Sequence, residues 1–192
     1  AQVAEWRFVP DSSAALFIDF AGQLLLGEPG AAPAPLGNAV SIDGISRGTY
    51  QAIVQRASEL VLLDLTTGTE TPVEIPEFDG TRADRVLPLP DDTNLWRYVR
   101  LDDAGLPTGQ LIVNDGDIIA EVSPPDTTIQ VCTSPSGRDI ALTIAPNLID
   151  NPYDGHLHPL PSTLVTTVIR IADGTVRATY DGFALSWCTM AP

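Results

Sequence analysis

Four times along the 192 residues, a turn rich in Ser, Pro, Asp and Gly is followed at once by an apolar, strand-like run. The four segments are 9–16, 45–53, 89–96 and 133–142, and Pro10, Arg47, Pro90 and Pro135 mark their equivalent places, stepping by 37, 43 and 45 residues. Self-similarity at a fixed period means that each unit is one supersecondary structure, whose apolar surface is buried by stacking on its neighbours. A chain built this way is held to few architectures. Helical patterning is scarce, and short alternating apolar and polar runs lie between turn residues, from Ala4–Val9 through to Phe183–Trp187, so the chain reads as all-β. The stretch Tyr50–Leu63 has some helical look but carries β-branched residues and runs into Thr66-Thr67-Gly68; it reads as two strands.

The second half of the unit repeats as well. Segments 60–73, 111–119 and 168–177 each read strand, tight turn, strand, with Asn114-Asp115-Gly116 and Asp173-Gly174 as hairpin signals because glycine reaches positive φ without steric cost. Four antiparallel strands per unit follow. Ser134–Leu142 and Leu60–Gly68 resemble the blade signature of bacterial TolB-type and WD-repeat-like β-propellers, and the likeness covers nearly the whole chain in phase. It implies a β-propeller-like array of about four four-stranded blades, partial or four-bladed. As one domain over 1–192, the units fall near 1–37, 38–80, 81–124 and 125–182. Residues 183–192 repeat the opening strand of a further unit, which either closes a ring on the first blade or belongs to a longer array. Two features depart from the pattern. No Trp-Asp dipeptide ends a blade, and the first unit lacks a clear fourth strand where Glu28–Gly37 reads as an extended Pro/Ala/Gly loop over the surface.

Composition narrows the function classes. Asp and Glu number 25 against 10 basic residues, giving a formal charge of −15, so nucleic acid is a poor partner. All the basic residues are Arg; the absence of Lys removes Schiff-base chemistry and phosphate-binding lysines, and with abundant Ala and Asp it has the look of a bacterial, GC-rich coding sequence. No apolar run is long enough to span a membrane.

The candidate chemistry is sparse. The insertion 145–162 holds both histidines, and Asp150, Tyr153, Asp154, His156 and His158 form its polar cluster. Two histidines two apart on an extended segment point the same way and could share a metal with a carboxylate, although a solvated loop is the simpler reading. The acidic turns Asp91-Asp92, Asp102-Asp103 and Asn114–Asp117 lack calcium-loop spacing and read as turn formers. Neither a nucleophile elbow nor a glycine-rich phosphate loop is read in the chain. Trp6 and Trp187 read as core packing; Trp96 shares a strand face with Tyr98 and is a better candidate than they are for an exposed platform, although core packing is the first reading for it too.

Cys132 and Cys188 hold matching places at the ends of first strands in successive units, where propeller blades bring such strands close; a structural disulfide is expected, with two buried free thiols as the alternative. A disulfide implies an oxidising compartment. The expectation is therefore a non-catalytic, extracytoplasmic binding or scaffold domain that recognises a protein or polymer ligand through blade loops, with no cofactor. The TolB likeness implies a cell-envelope protein, secreted, periplasmic or a lipoprotein with its lipid anchor upstream. The alternative is a hydrolase or metal-dependent enzyme using Asp150 or Asp154 with His156 or His158.

Overall fold

The computed structural model describes residues 3–46, 49–91, 93–151 and 162–182. Among them, regular structure is β-strand apart from one short 3-10 helix at Leu148–Asp150. The strands form four separate four-stranded antiparallel sheets, each a meander in which chain neighbours pair. The first holds β1 (Val3–Phe8), β2 (Ala15–Asp19), β3 (Gln23–Gly27) and β4 (Ala34–Asn38). The second holds β5 (Ser41–Ile45), β6 (Gln51–Gln55), β7 (Leu60–Asp64) and β8 (Glu70–Pro72). The third runs through β9 (Thr81–Pro88), β10 (Asn94–Leu101), β11 (Pro107–Asn114) and β12 (Asp117–Val122). The fourth is β13 (Thr127–Thr133), β14 (Asp139–Ala145), β15 (Val165–Arg170) and β16 (Val176–Asp181). Four sheets of four strands are what the doubled repeat predicts, and no helix among the described residues is long and apolar enough to cross a membrane.

The chain groups into two compact units. One is built on residues 3–76 with 86–93, the other on 77–85 with 94–182. In the first, alternation along each strand sends Leu16, Ile18 and Leu24 of one sheet into a common core with Ile42, Ala52, Val54, Val61 and Leu63 of the next. Full burial of side chains this size contributes roughly 1.5–3 kcal/mol each, so this face-to-face contact is the main stabilising term between the two sheets. Polar links fix its register. Glu5 accepts from the Ile42 amide (3.1 Å), and Arg7 donates to the Ile42 carbonyl (2.8 Å) while pairing with Glu5. Arg56 donates to the carbonyls of Leu36 (2.9 Å) and Asn38 and pairs with Glu70, so one guanidinium joins β4 to the β7–β8 hairpin.

Three sequence expectations change. The first unit does have a fourth strand: the end of the Pro/Ala/Gly segment becomes β4, with Ala34 opposite Leu26 and Pro35 opposite Leu25. An edge strand needs ladder bonds on one side only, so proline is tolerated there. The run Asn38–Ile42, which the sequence pattern predicts as one strand, is broken between β4 and β5, which belong to different sheets. Trp6 is not core packing; it is 58% exposed on the edge strand β1, edge-to-face with Phe8 at 4.9 Å. Trp187 lies outside the described residues. Tyr50–Leu63 is two strands, as read, with β6 and β7 paired antiparallel.

Candidate functional site

In the second unit two hairpin turns stand side by side and enclose a cleft of about 400 Å³, lined by Asn114, Asp115, Asp117, Ile118, Ile119, Ile171, Ala172 and Asp173. The first turn joins β11 to β12. Asp115 and Gly116 both have left-handed backbones (φ 48° and 85°), which closes the hairpin in two residues and pairs Asn114 with Asp117. The second turn joins β15 to β16, where the Gly174 amide donates to the Arg170 carbonyl at 2.9 Å. Glycine is required at 174 on two counts: φ is 66°, and a Cβ there would come within 3.2 Å of the Ile119 carbonyl oxygen on the neighbouring hairpin.

The carboxylates around this cleft are not equivalent. Asp173 is held below the usual carboxylate range, first by the Thr175 hydroxyl, then by the Thr175 amide (3.0 Å) and the Arg170 guanidinium (3.1 Å). Its oxygens are therefore committed to the turn. Asp115 and Asp117 line the same space beside the apolar Ile118 and Ile119. The cleft's surface is mostly polar, and carboxylates on such a surface suit a cationic side chain. Among the described residues no three His, Cys, Asp or Glu side chains converge as metal ligands would.

The long insertion has a clamp at its base. Asn151, 6% exposed, donates through Nδ2 to the carbonyls of Pro146 (3.2 Å) and Thr163 (2.6 Å), and its Oδ1 accepts from the Thr163 amide (2.8 Å) and the Ser162 hydroxyl (3.1 Å). One amide side chain thus ties both ends of the segment together. Asn147, with φ 45°, donates from its side chain to Asp150 (2.8 Å) and from its backbone to Asp126 (2.9 Å). Of the cluster read from sequence, Asp150 is exposed beside this clamp; Tyr153, Asp154, His156 and His158 lie outside the described residues.

Trp96 is 6% exposed, its ring 6.5 Å from Tyr98 on the same strand face, with Phe78 5.5 Å from Tyr98. Its indole is core and offers no platform. Burial also raises the Tyr98 phenol above its ordinary pKa. Cys132, on β13, is not a free thiol; Cys188 lies outside the described residues. Sequence reading marked Asn114–Asp117 and Asp173-Gly174 as turns but not as neighbours, because their adjacency comes from sheet packing. Nothing marked Asn151, whose role rests on carbonyls that any residue supplies.

No protein-family model and no curated protein matches the chain. Solved structures do. A protein assigned as TolB from Agrobacterium tumefaciens superposes over 93% of this chain with a TM-score of 0.55 at 18% identity. The β-propeller domain of Cps50 (Swd1) from Myceliophteria thermophila covers 94% with a TM-score of 0.50 at 11% identity. The fold is that of a β-propeller. The chain spans 65% of the TolB structure's length and 86% of the Swd1 domain's. At these identities the likeness speaks for the fold alone, since propellers host unrelated functions.

Proposed function

We propose that this chain is a non-catalytic, extracytoplasmic binding domain that recognises a protein partner through the turns of its blades. The observation that carries the reading is the cleft between the β11–β12 and β15–β16 turns: its walls stand on rigid hairpins, and its chemistry suits an Arg or Lys presented by a partner surface. Recognition on loops held by a rigid scaffold is the usual division of labour in such folds. The insertion carrying Tyr153, Asp154, His156 and His158 is a second recognition element in this reading, supported by the Asn151 clamp at its base and by Asp150 exposed there. A Cys132–Cys188 disulfide belongs to the same proposal. It is supported by Cys132 not being free, and it accords with an oxidising compartment.

A photo-crosslinking residue at position 118, in protein exported to a bacterial periplasm, tests the cleft. The reading requires a discrete protein adduct that Asp115→Arg with Asp117→Arg abolishes; labelling no different from a probe at exposed position 176 refutes it. For the insertion, His156→Ala with His158→Ala that leaves partner binding unchanged removes it from the site. Intact mass without reductant tests the disulfide, since two free thiols weigh two hydrogens more.

A further inference from the structure

We propose that the cleft between the β11–β12 and β15–β16 turns selects arginine over lysine, its occupant being an unmodified guanidinium presented by a partner protein. Arginine selectivity rests on the cleft being a recognition site and adds which cation it takes. Two kinds of acceptor meet there. Asp115 and Asp117 belong to a turn closed by backbone, with φ 48° at Asp115 and 85° at Gly116, so both carboxylates are left to the cleft they line. The other acceptor is a main-chain carbonyl. Pairing along β12 passes from Ile118, opposite Val113, directly to Ala120, opposite Ile112, so Ile119 is an extra residue in the strand. Such a residue is left out of the ladder. Ile119 is buried and lines the cleft, and its carbonyl oxygen lies 3.2 Å from where a Cβ on Gly174 would stand. Among the described residues no turn or loop amide donates to it. A buried carbonyl so placed calls for an N–H donor, and the facing hairpin presents only a glycine.

The separation of these acceptors is what distinguishes the two cationic side chains. A lysine ammonium is a compact, strongly hydrated charge whose three donors sit on one atom. The carboxylates alone satisfy it, and the carbonyl adds nothing. Arginine carries five N–H donors in a rigid plane, so one edge can take a carboxylate in a bidentate pair while an N–H on the other edge reaches the Ile119 carbonyl. At Gly174 the two hairpins stand too close for a side chain, and a planar group suits a space that narrows in this way. A guanidinium is also the more weakly hydrated of the two cations, so it leaves water at lower cost. Asp173 adds negative potential without competing for the ligand, because Thr175 and Arg170 already engage its oxygens.

Amide chemical shifts of the full 192-residue chain test this, in titrations with N-acetyl-arginine amide, N-acetyl-lysine amide and the ω-dimethylated arginine derivative at one ionic strength. Dimethylation keeps the charge and blocks the bidentate bonds. The arginine probe is expected to move the amides of residues 115–119 and 172–175 with a millimolar dissociation constant, at least about tenfold below those of the other two probes. Asp115→Asn with Asp117→Asn, at turn positions that Asn also accepts, removes this response while the unfolding midpoint holds. Equal binding of arginine and lysine, or of arginine and its dimethylated form, overturns the selectivity and leaves the cleft a site for any cation. No response of either hairpin to any probe overturns the selectivity and the cationic reading of the cleft together.

Discussion

Gly44 offers a sharp test of how the first unit is packed. It sits in β5 at the register shift between Ile42 and Gly44 itself, and a Cβ built on it would lie 2.3 Å from Cδ and 2.9 Å from Cγ of Pro88. Carbon atoms in contact sit about 3.5–4.0 Å apart, so Gly44→Ala forces one backbone away from the other by more than an ångström. Proline cannot rotate out of the way, since its ring is closed on its own backbone. Overpacking of this kind costs about 1–3 kcal/mol, and the rigidity on both sides places this case at the upper end. Gly44 does not have a positive φ, so Ala suits the backbone and recovers about 0.4–1 kcal/mol through the unfolded state. The net expectation is a loss of about 2 kcal/mol, seen as a melting temperature lower by about 4–8 °C for a chain this size. Urea melts of the single variants and of Gly44→Ala with Pro88→Ala complete the cycle. Pro88→Ala removes both clashing atoms, so most of the loss should return as coupling. A Gly44→Ala variant as stable as the parent, or a double variant that is merely additive, refutes the packing described.

Asn151→Ala deletes four hydrogen bonds at the base of the insertion; it should cost about 2–3 kcal/mol in urea melts and speed hydrogen exchange at the Thr163 amide. Thr166 spends its hydroxyl proton on the Gly182 carbonyl (2.9 Å), so Thr143 must be the donor in the buried 2.8 Å contact between the two hydroxyls. Thr166→Val strands both the Thr143 hydroxyl and the Gly182 carbonyl and should cost about 1–3 kcal/mol, more than Thr143→Val does in the same melts. Asp64 is held below its ordinary value of 3.8, first by the Thr67 amide and then by that of Thr66. A depressed carboxylate contributes stability that is whole above the unfolded pKa and vanishes as pH falls through the folded one. The stability gap between the parent and Asp64→Asn should therefore hold from pH 7 down to about 4 and close below it; a gap independent of pH sinks the assignment.

Much of this fold was legible because a blade is a local object. Alternation along Gln51–Gln55 and Leu60–Asp64, with turn residues between, specifies a hairpin with no reference to the rest of the chain. The errors fall where a residue's fate is decided by a different sheet. Pro35 reads as a strand breaker, yet the outer edge of the first sheet needs no ladder bond from it. Trp6 reads as core by its position in the unit, yet it stands exposed on the edge strand β1 against Phe8. The cleft was half visible in the same way: its turns were spelled out at Asn114–Asp117 and Asp173-Gly174, while the packing that sets Gly174 against Ile119 has no local signature.

The acidity of the chain follows the same division between local and assembled. Asp19 accepts from the amides of Ala21 and Gln23, Asp64 from Thr66 and Thr67, Asp102 from Ala104 and Leu106, Asp91 from Thr93 and Asp173 from Thr175. Each carboxylate satisfies turn amides that would otherwise depend on water. Asp64 is held below the ordinary carboxylate range by the amides of Thr67 and Thr66, and Asp91 and Asp173 first by the hydroxyls of Thr93 and Thr175 and then by the amides of the same residues. The charge of −15 is thus in good part the consequence of building many tight turns with aspartate. What distinguishes Asp115 and Asp117 is that their turn closes on a left-handed Asp-Gly backbone and leaves its carboxylates to the cleft. In the proposed reading a partner's cation meets its counter-charge there, at the acidic turn whose geometry asks least of its own side chains.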